Sequence, residues 1–338
     1  MKKLIFLMTL LSSVSMMAQK QITIEDFTTK NTFAQKSVNG INWMNDGKFY
    51  TSITDNKIIK YDIALGQAVE TIVDGNELSE KITIDSYQMS GDEKKLLLTT
   101  HFESIYRRSF KADYYIYDLA TKSLRKLSEG GKQSYASFSP DGSKVAFTRD
   151  NNLFYVTVSD LKETQLTADG KFNFIINGSS DWVYEEELGF AQAFYWSPDS
   201  KKIAFYRFDE SNVKEYNMQK WNKGALYPED YKFKYPKAGE DNSLIEIWML
   251  DLTTNQKVKA DIGTEKDIYI TKIMWTMNPA TLSIQRMNRL QNTLEILHAD
   301  ATSGKSSVIL TEKSDTYVDA NYTTDEMSYL KNGKEFLF

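Results

Sequence analysis

The chain has 338 residues, 41 Lys and Arg against 46 Asp and Glu, a formal net charge of -5, and no cysteine. A mildly acidic surface argues against nucleic acid as a partner, because phosphate neutralisation needs a basic face. Without cysteine the chain gains no disulfide in an oxidising compartment and offers no cysteine for a lipid anchor.

Met1-Lys2-Lys3 precedes an apolar stretch from Leu4 to Met17 and a small residue, Ala18. This is the pattern of a secretory leader whose apolar region is too short to span a bilayer. Residues 1–18 are therefore expected to be removed, with cleavage after Ala18, which takes the formal charge from -5 to -7 through loss of Lys2 and Lys3. No later apolar stretch is long enough for a transmembrane helix. The predicted location is across a bacterial inner membrane, periplasmic or extracellular.

From residue 19 onward one phrase recurs: an aromatic or apolar strand end, a polar turn, then a new strand. It begins at Trp43, Met89, Phe138, Trp196 and, more loosely, Trp275, with intervals of 46, 49, 58 and 79 residues. A four-stranded blade needs ~40–50 residues, so the first two intervals suit a β-propeller and the longer two require insertions. Short β-rich runs follow the turns, as in Lys144–Arg149 and Lys202–Arg207. Tyr117-Asp118, Leu250-Asp251 and Ala299-Asp300 open further turns toward outer strands. Sheet-on-sheet packing also accounts for an aromatic content of 13%.

Two stretches depart from the repeat. Residues 178–192 carry Asp181-Trp182-Val183-Tyr184-Glu185-Glu186-Glu187, and residues 212–242 read as a long loop or hairpin arm with Pro228 and Pro236. A sixth turn is predicted from Asp325-Glu326 and Lys331-Asn332-Gly333, after which the chain stops within a strand. The fold expected over residues 19–338 is thus an all-β propeller of four-stranded blades, about five to six of them, with its ring open.

An acidic run is often a short solvated helix with its acids near the N-terminal dipole. Here two large aromatics precede three carboxylates, which suits acids held at a cavity wall to receive a cation. Catalytic machinery is not legible. There is no Gly-x-Ser-x-Gly elbow, and His101 and His298 lie in strand-like contexts as structural or surface residues. Two isolated histidines without cysteine give no metal-ligand cluster, and no Gly-rich phosphate loop is present, so neither metal nor cofactor is expected.

The ordered set Phe174–Gly178, Asp181–Glu187, Tyr195-Trp196-Ser197-Pro198, Phe208-Asp209-Glu210 and Tyr235-Pro236-Lys237-Ala238-Gly239 resembles the propeller half of the dipeptidyl peptidase IV family. These are serine exopeptidases of the prolyl oligopeptidase type. The resemblance implies eight blades followed by an α/β-hydrolase domain beyond Phe338, which would release X-Pro or X-Ala dipeptides from peptide N-termini. It places the receptor for the substrate ammonium on Glu186 and Glu187, with Glu185 structural. Arg107 would bind the carbonyl oxygen of the second substrate residue, with Arg108 as its rival. The arginine and the acids would partner each other when the site is empty.

Asp209 and Glu210 would support the loop, and the 212–242 arm would lie near the substrate entrance. It would also contribute to subunit contacts in a full-length homodimer. Tyr317-Val318-Asp319 departs from the animal pattern in lacking an arginine. The alternative is a stand-alone, non-catalytic periplasmic propeller acting as a binding module. A degenerate member of the peptidase family is a third reading.

Overall fold

The computed structural model describes residues 21–35, 38, 40–319, 327–333 and 335–337. The expected leader, residues 1–18, and the Asp325-Glu326 half of the sixth turn lie outside the described residues. The chain divides into two compact units, Met1–Asn39 and Gly40–Phe338. In the first, α1 (Ile24–Thr28) is started by Asp26, whose carboxylate accepts the Thr23 N–H at 2.9 Å. No helix among the described residues is long and apolar enough to cross a membrane.

The second unit is a run of antiparallel blades. The first holds β1 (Asn42–Trp43), β2 (Phe49–Thr54), β3 (Lys57–Asp62) and β4 (Ala68–Asp74) in sequential order. The second holds β5 (Ser86–Met89), β6 (Lys95–Ser104), β7 (Phe110–Asp118) and β8 (Leu124–Lys126). The third holds β9 (Ser134–Phe138), β10 (Lys144–Arg149), β11 (Asn152–Thr157) and β12 (Glu163–Gln165).

The fourth blade is built from β13 (Ile175–Asn177), β14 (Phe194–Trp196), β15 (Lys202–Asp209), β18 (Leu244–Asp251) and β19 (Lys257–Lys259). Its hairpin arm is β16 (Glu215–Lys220) and β17 (Glu229–Lys234). The fifth blade holds β20 (Ile268–Trp275), β21 (Thr281–Asn288), β22 (Thr293–Asp300) and β23 (Ser306–Lys313). A further hairpin of β24 (Ser328–Tyr329) and β25 (Phe336–Leu337) follows. The incomplete all-β propeller is as the repeats predict.

Turn chemistry explains why the chain folds back at these places. In the first-to-second strand turns the hydroxyls of Ser90, Ser139 and Ser197 donate to Asp92, Asp141 and Asp199 at 2.6–2.7 Å. The same hydroxyl oxygens accept the N–H of Lys95, Lys144 and Lys202, where the next strand begins. In the third-to-fourth strand turns the Asp118, Asp251 and Asp300 carboxylates accept the backbone N–H groups two and three residues on. Aspartate mimics a backbone turn in this way.

Middle strands of the third and fourth blades are apolar on both faces because each of these blades is covered by its neighbours. Val145, Ala146 and Phe147 are all fully buried, as are Ile203, Ala204, Phe205 and Tyr206. Indole donors bridge adjacent blades: Trp196 Nε1–H donates to the Ser137 carbonyl at 3.3 Å and Trp275 Nε1–H to the Tyr195 carbonyl at 3.0 Å.

The two long intervals are both insertions into the fourth blade. Its first strand is split, with β13 pairing the Arg207–Asp209 end of β15 and β14 pairing the Ile203–Phe205 end. Residues 178–193 leave and return at one point, where Ala193 N–H donates to the Gly178 carbonyl at 3.0 Å. Gly178 has φ +75, and a methyl group there would lie 3.0 Å from Thr148 Cγ2, so both conformation and space favour glycine. The other insertion, between β15 and β18, contains the arm.

Candidate functional site

The acidic run forms α2 (Trp182–Glu186), a helix capped by Asp181. The Asp181 carboxylate accepts the Tyr184 N–H at 2.9 Å and the Ser243 hydroxyl at 2.5 Å. Burial nevertheless pushes this carboxyl above its ordinary range. Tyr184 roots the helix in the core. Its ring packs edge-on to Phe208, 4.9 Å between centroids, and its hydroxyl oxygen accepts the Ile270 N–H at 2.8 Å. Burial holds that hydroxyl far from ionising.

A helix turns ~100° per residue, so three consecutive glutamates take three directions. Glu185 is buried, Glu186 is half-buried at a cavity wall, and Glu187 is exposed at the same wall. Arg107 comes from the tip between β6 and β7, where Ile105 N–H donates to the Ser109 carbonyl at 2.8 Å. Its Nε stands 2.8 Å from Glu186 Oε2, with side-chain exposures of 64% and 20%. The pair has ion-pair distance without hydrogen-bond alignment, so Glu186 Oε2 is a buried oxygen with no hydrogen-bond donor. The Tyr106 hydroxyl and then the Glu186 carboxylate push the Arg107 guanidinium upward, keeping it charged. Arg108 turns elsewhere: its guanidinium donates to the Glu185 carbonyl at 3.3 Å, and it does not line the cavity.

The cavity has a volume of about 920 Å³, within the range of ~300–1,000 Å³ usual for ligand sites. Its walls come from the acidic helix and from second-to-third strand connections of three blades, opposite the Ser–Asp turns. The second blade gives Arg107, the fourth gives Tyr235 and Lys237 of the arm, and the fifth gives Arg289 and Gln291. Trp182 meets Tyr235 with ring centroids 3.9 Å apart, joining the acidic helix to the arm. All three predicted site residues, Glu186, Glu187 and Arg107, thus converge on one cavity.

Tyr269, Arg289 and Gln291 were not legible as site residues, although Arg289 and Gln291 occupy the same turn of the repeat as Arg107. Arg289 is held by Asp267 at 3.0 Å and by the Glu240 carbonyl at 3.1 Å. The histidines sit apart from the cavity lining: His101 Nδ1 lies 3.0 Å from Asp113, and His298 Nε2 lies 2.7 Å from the Tyr329 hydroxyl.

Asp209 supports its loop by accepting the Ser211 N–H at 3.1 Å, whereas Glu210 is buried. Burial first, and then the Asp181 carboxylate, push Glu210 from 4.5 up to about 7, opposed by Lys234. Between these values the folded chain keeps a proton that the unfolded chain has released, so stability falls as pH rises through that window. Glu210→Gln is therefore expected to be more stable than the parent by about 3 kcal/mol at pH 8 and equal to it near pH 4. Urea titrations at both pH values read this directly, and a constant difference would remove the titration from the explanation.

Residues 90–338 match the family described as dipeptidyl peptidase IV (DPP IV) N-terminal region. The chain is 31% identical over 304 residues to the "Probable dipeptidyl peptidase 4" of Emericella nidulans, covering 86% of this chain and 38% of the relative. It is 28% identical to the "Inactive dipeptidyl peptidase 10" of Rattus norvegicus, with 87% and 37% covered. The crystal structure of Porphyromonas gingivalis dipeptidyl peptidase 4 superposes with a TM-score of 0.83 at 37% identity, covering 89% of this chain and 43% of that one. The chain spans less than half the length of these relatives. Blade architecture, the split fourth blade with its acidic helix, and the match over residues 90–338 converge: the chain belongs to the dipeptidyl peptidase IV family, as a propeller of its N-terminal region.

Proposed function

We propose that this propeller is the substrate-gating and amine-anchoring part of a secreted serine dipeptidyl aminopeptidase, which releases X-Pro or X-Ala dipeptides. The observation that carries the reading is Glu186 Oε2, a buried carboxylate oxygen without a hydrogen-bond donor, facing Arg107 at a cavity of peptide size. An α-ammonium, with a pKa of ~7.7–8.0, is charged at neutral pH and brings three N–H donors. Glu186 and Glu187 together satisfy it, and partial burial strengthens the attraction relative to water.

The incoming ammonium takes the place of Arg107 on Glu186. That frees the guanidinium for the carbonyl oxygen of the second residue. With the chain end fixed, two residues separate it from a serine nucleophile supplied by an α/β-hydrolase domain. The serine oxygen bonds to the second carbonyl carbon, the peptide C–N bond breaks, and the leaving amine takes the proton the serine hydroxyl has given up. Water then releases the dipeptide. Residues 1–18 act as the export leader in this reading, and the arm joins two full-length subunits.

A second reading is favoured by the similarity to a relative named inactive: the same recognition without turnover. Trp182 is the one of the six tryptophans that lines the cavity, so a fluorescence change lost in Trp182→Phe reports binding there. A free Gly-Pro dipeptide is expected to bind and its N-acetyl derivative to fail, with affinity falling about tenfold per pH unit above ~8 as the amine deprotonates. Equal binding of both peptides would refute the amine receptor. Release of X-Pro from chromogenic peptides by a protein joining this chain to a hydrolase domain decides between the two readings.

A further inference from the structure

We propose that Glu185 is a positioning residue: its buried carboxylate clamps the turn that carries Arg107, setting the arginine against Glu186. The functional half of this proposal rests on the amine-and-carbonyl reading of Glu186 and Arg107.

The turn's own bonds lie on one side: Glu103 and Ser104 pair with Lys111 and Phe110, and the Ser104 hydroxyl donates to the Tyr106 carbonyl at 2.8 Å. Strand β6 shifts register between Thr100 and Glu103, and His101 has φ +52, so the hairpin bends before its tip. At the tip the Ile105 and Tyr106 N–H groups reach the Ser109 carbonyl, at 2.8 and 3.3 Å. The N–H groups of Arg108 and Ser109 point the other way. Both donate to a single oxygen, Glu185 Oε1, each at 2.8 Å. The Glu185 carbonyl also accepts Arg108 Nη1 at 3.3 Å.

Glu185 is only 6% exposed, and its bonds cross 76 and 77 residues of sequence to reach another blade. A carboxyl oxygen has lone pairs enough to accept two backbone donors at once. Residues 108 and 109 are thereby fixed to the helix that presents Glu186, and Arg107 is the adjoining residue. One glutamate of the run holds the frame, and its neighbour at ~100° faces the substrate.

A pin that only stabilised the second blade would act without regard to Arg107, and this separates the two roles. Hydrogen exchange on this chain is the first arm. In Glu185→Ala the Arg108 and Ser109 amides are expected to exchange about tenfold faster or more, with the amides of Leu96–Leu98 unchanged as the folding control. Glu185→Gln keeps an acceptor oxygen and should restore most of the protection. Unchanged exchange at Arg108 and Ser109 in Glu185→Ala would overturn the clamp, whatever turnover does.

The second arm is a double-mutant cycle in a protein joining this chain to a hydrolase domain. Glu185→Ala is expected to lower kcat/KM by about 10- to 100-fold, mainly through KM, and to add nothing in an Arg107→Ala background. Multiplying effects would overturn positioning. Normal turnover by Arg107→Ala alone would refute the arginine's role, and with it the functional half, leaving the exchange result to decide the clamp.

Discussion

Glu186→Ala is expected to lower kcat/KM for free-amine peptides by about 10²–10³-fold in a protein that joins this propeller to a hydrolase domain, while leaving the propeller as stable as before. Losing a partly desolvated, charge-assisted contact to an ammonium costs about 3–4 kcal/mol, which corresponds to that factor. Stability should not follow, because the carboxylate supports little in the empty site. Its Oε2 has no hydrogen-bond donor, and Arg107, released from the ion pair, is exposed enough to be solvated. A group whose removal is neutral or favourable to folding and ruinous to turnover is held for function. Glu187→Ala should also cost turnover strongly. Parallel kinetics and thermal unfolding test the point: unchanged kinetics in both variants would dispose of the amine anchor, and a large fall in melting temperature would make Glu186 a structural residue.

Phe208→Ala shows the opposite pattern, with an expected loss of about 3–5 kcal/mol of stability. Phe208 is fully buried, stacks on Tyr206 at 5.6 Å between centroids, and meets Tyr184 edge-on at 4.9 Å. These aromatic contacts underlie the acidic helix, so a void at Phe208 removes the floor beneath Glu185 and Glu186. The urea midpoint should fall while the slope stays constant. An unchanged midpoint would mean that the helix is supported chiefly by the Asp181 cap and the Tyr184–Ile270 bond. Cavity lining and core packing thus meet within one short helix: Tyr184 faces the core, and Glu186 faces the cavity.

Much of this was legible in the sequence because turns carry their own chemistry. Ser139-Pro140-Asp141 specifies the same hydroxyl–carboxylate turn wherever it stands, and the recurring Asp after a third strand specifies another. The blades follow from their spacing. The split of the fourth blade was not legible, since Ile175–Asn177 and Phe194–Trp196 are each too short to show a period and lie far apart in sequence. Arg289 carries no local signal: only its place in the repeat relates it to Arg107. The burial of Glu210 is set by distant segments, with the Phe174 carbonyl accepting its N–H at 2.9 Å. Of the three glutamates, residue type alone offered no distinction, and the helical turn separates their roles.

The insertion that bears the acidic helix departs from and rejoins the fourth blade at a short antiparallel neck, where Ala193 N–H donates to the Gly178 carbonyl and Ser180 N–H to the Ala191 carbonyl. Both flanking pieces pair with the same strand, each in its own register. A residue gained or lost between the helix and β14 therefore leaves the β13 and β14 registers as they are, whereas the helix itself is fixed to the core through Val183, Tyr184 and Leu188. No strand of the blade slips. Lengthening such a closed loop costs little chain entropy. Length can thus change on the strand side of the loop at little cost to the blade, while the helix, bonded to the second, fourth and fifth blades through Glu185, Asp181 and Tyr184, is inherited with them.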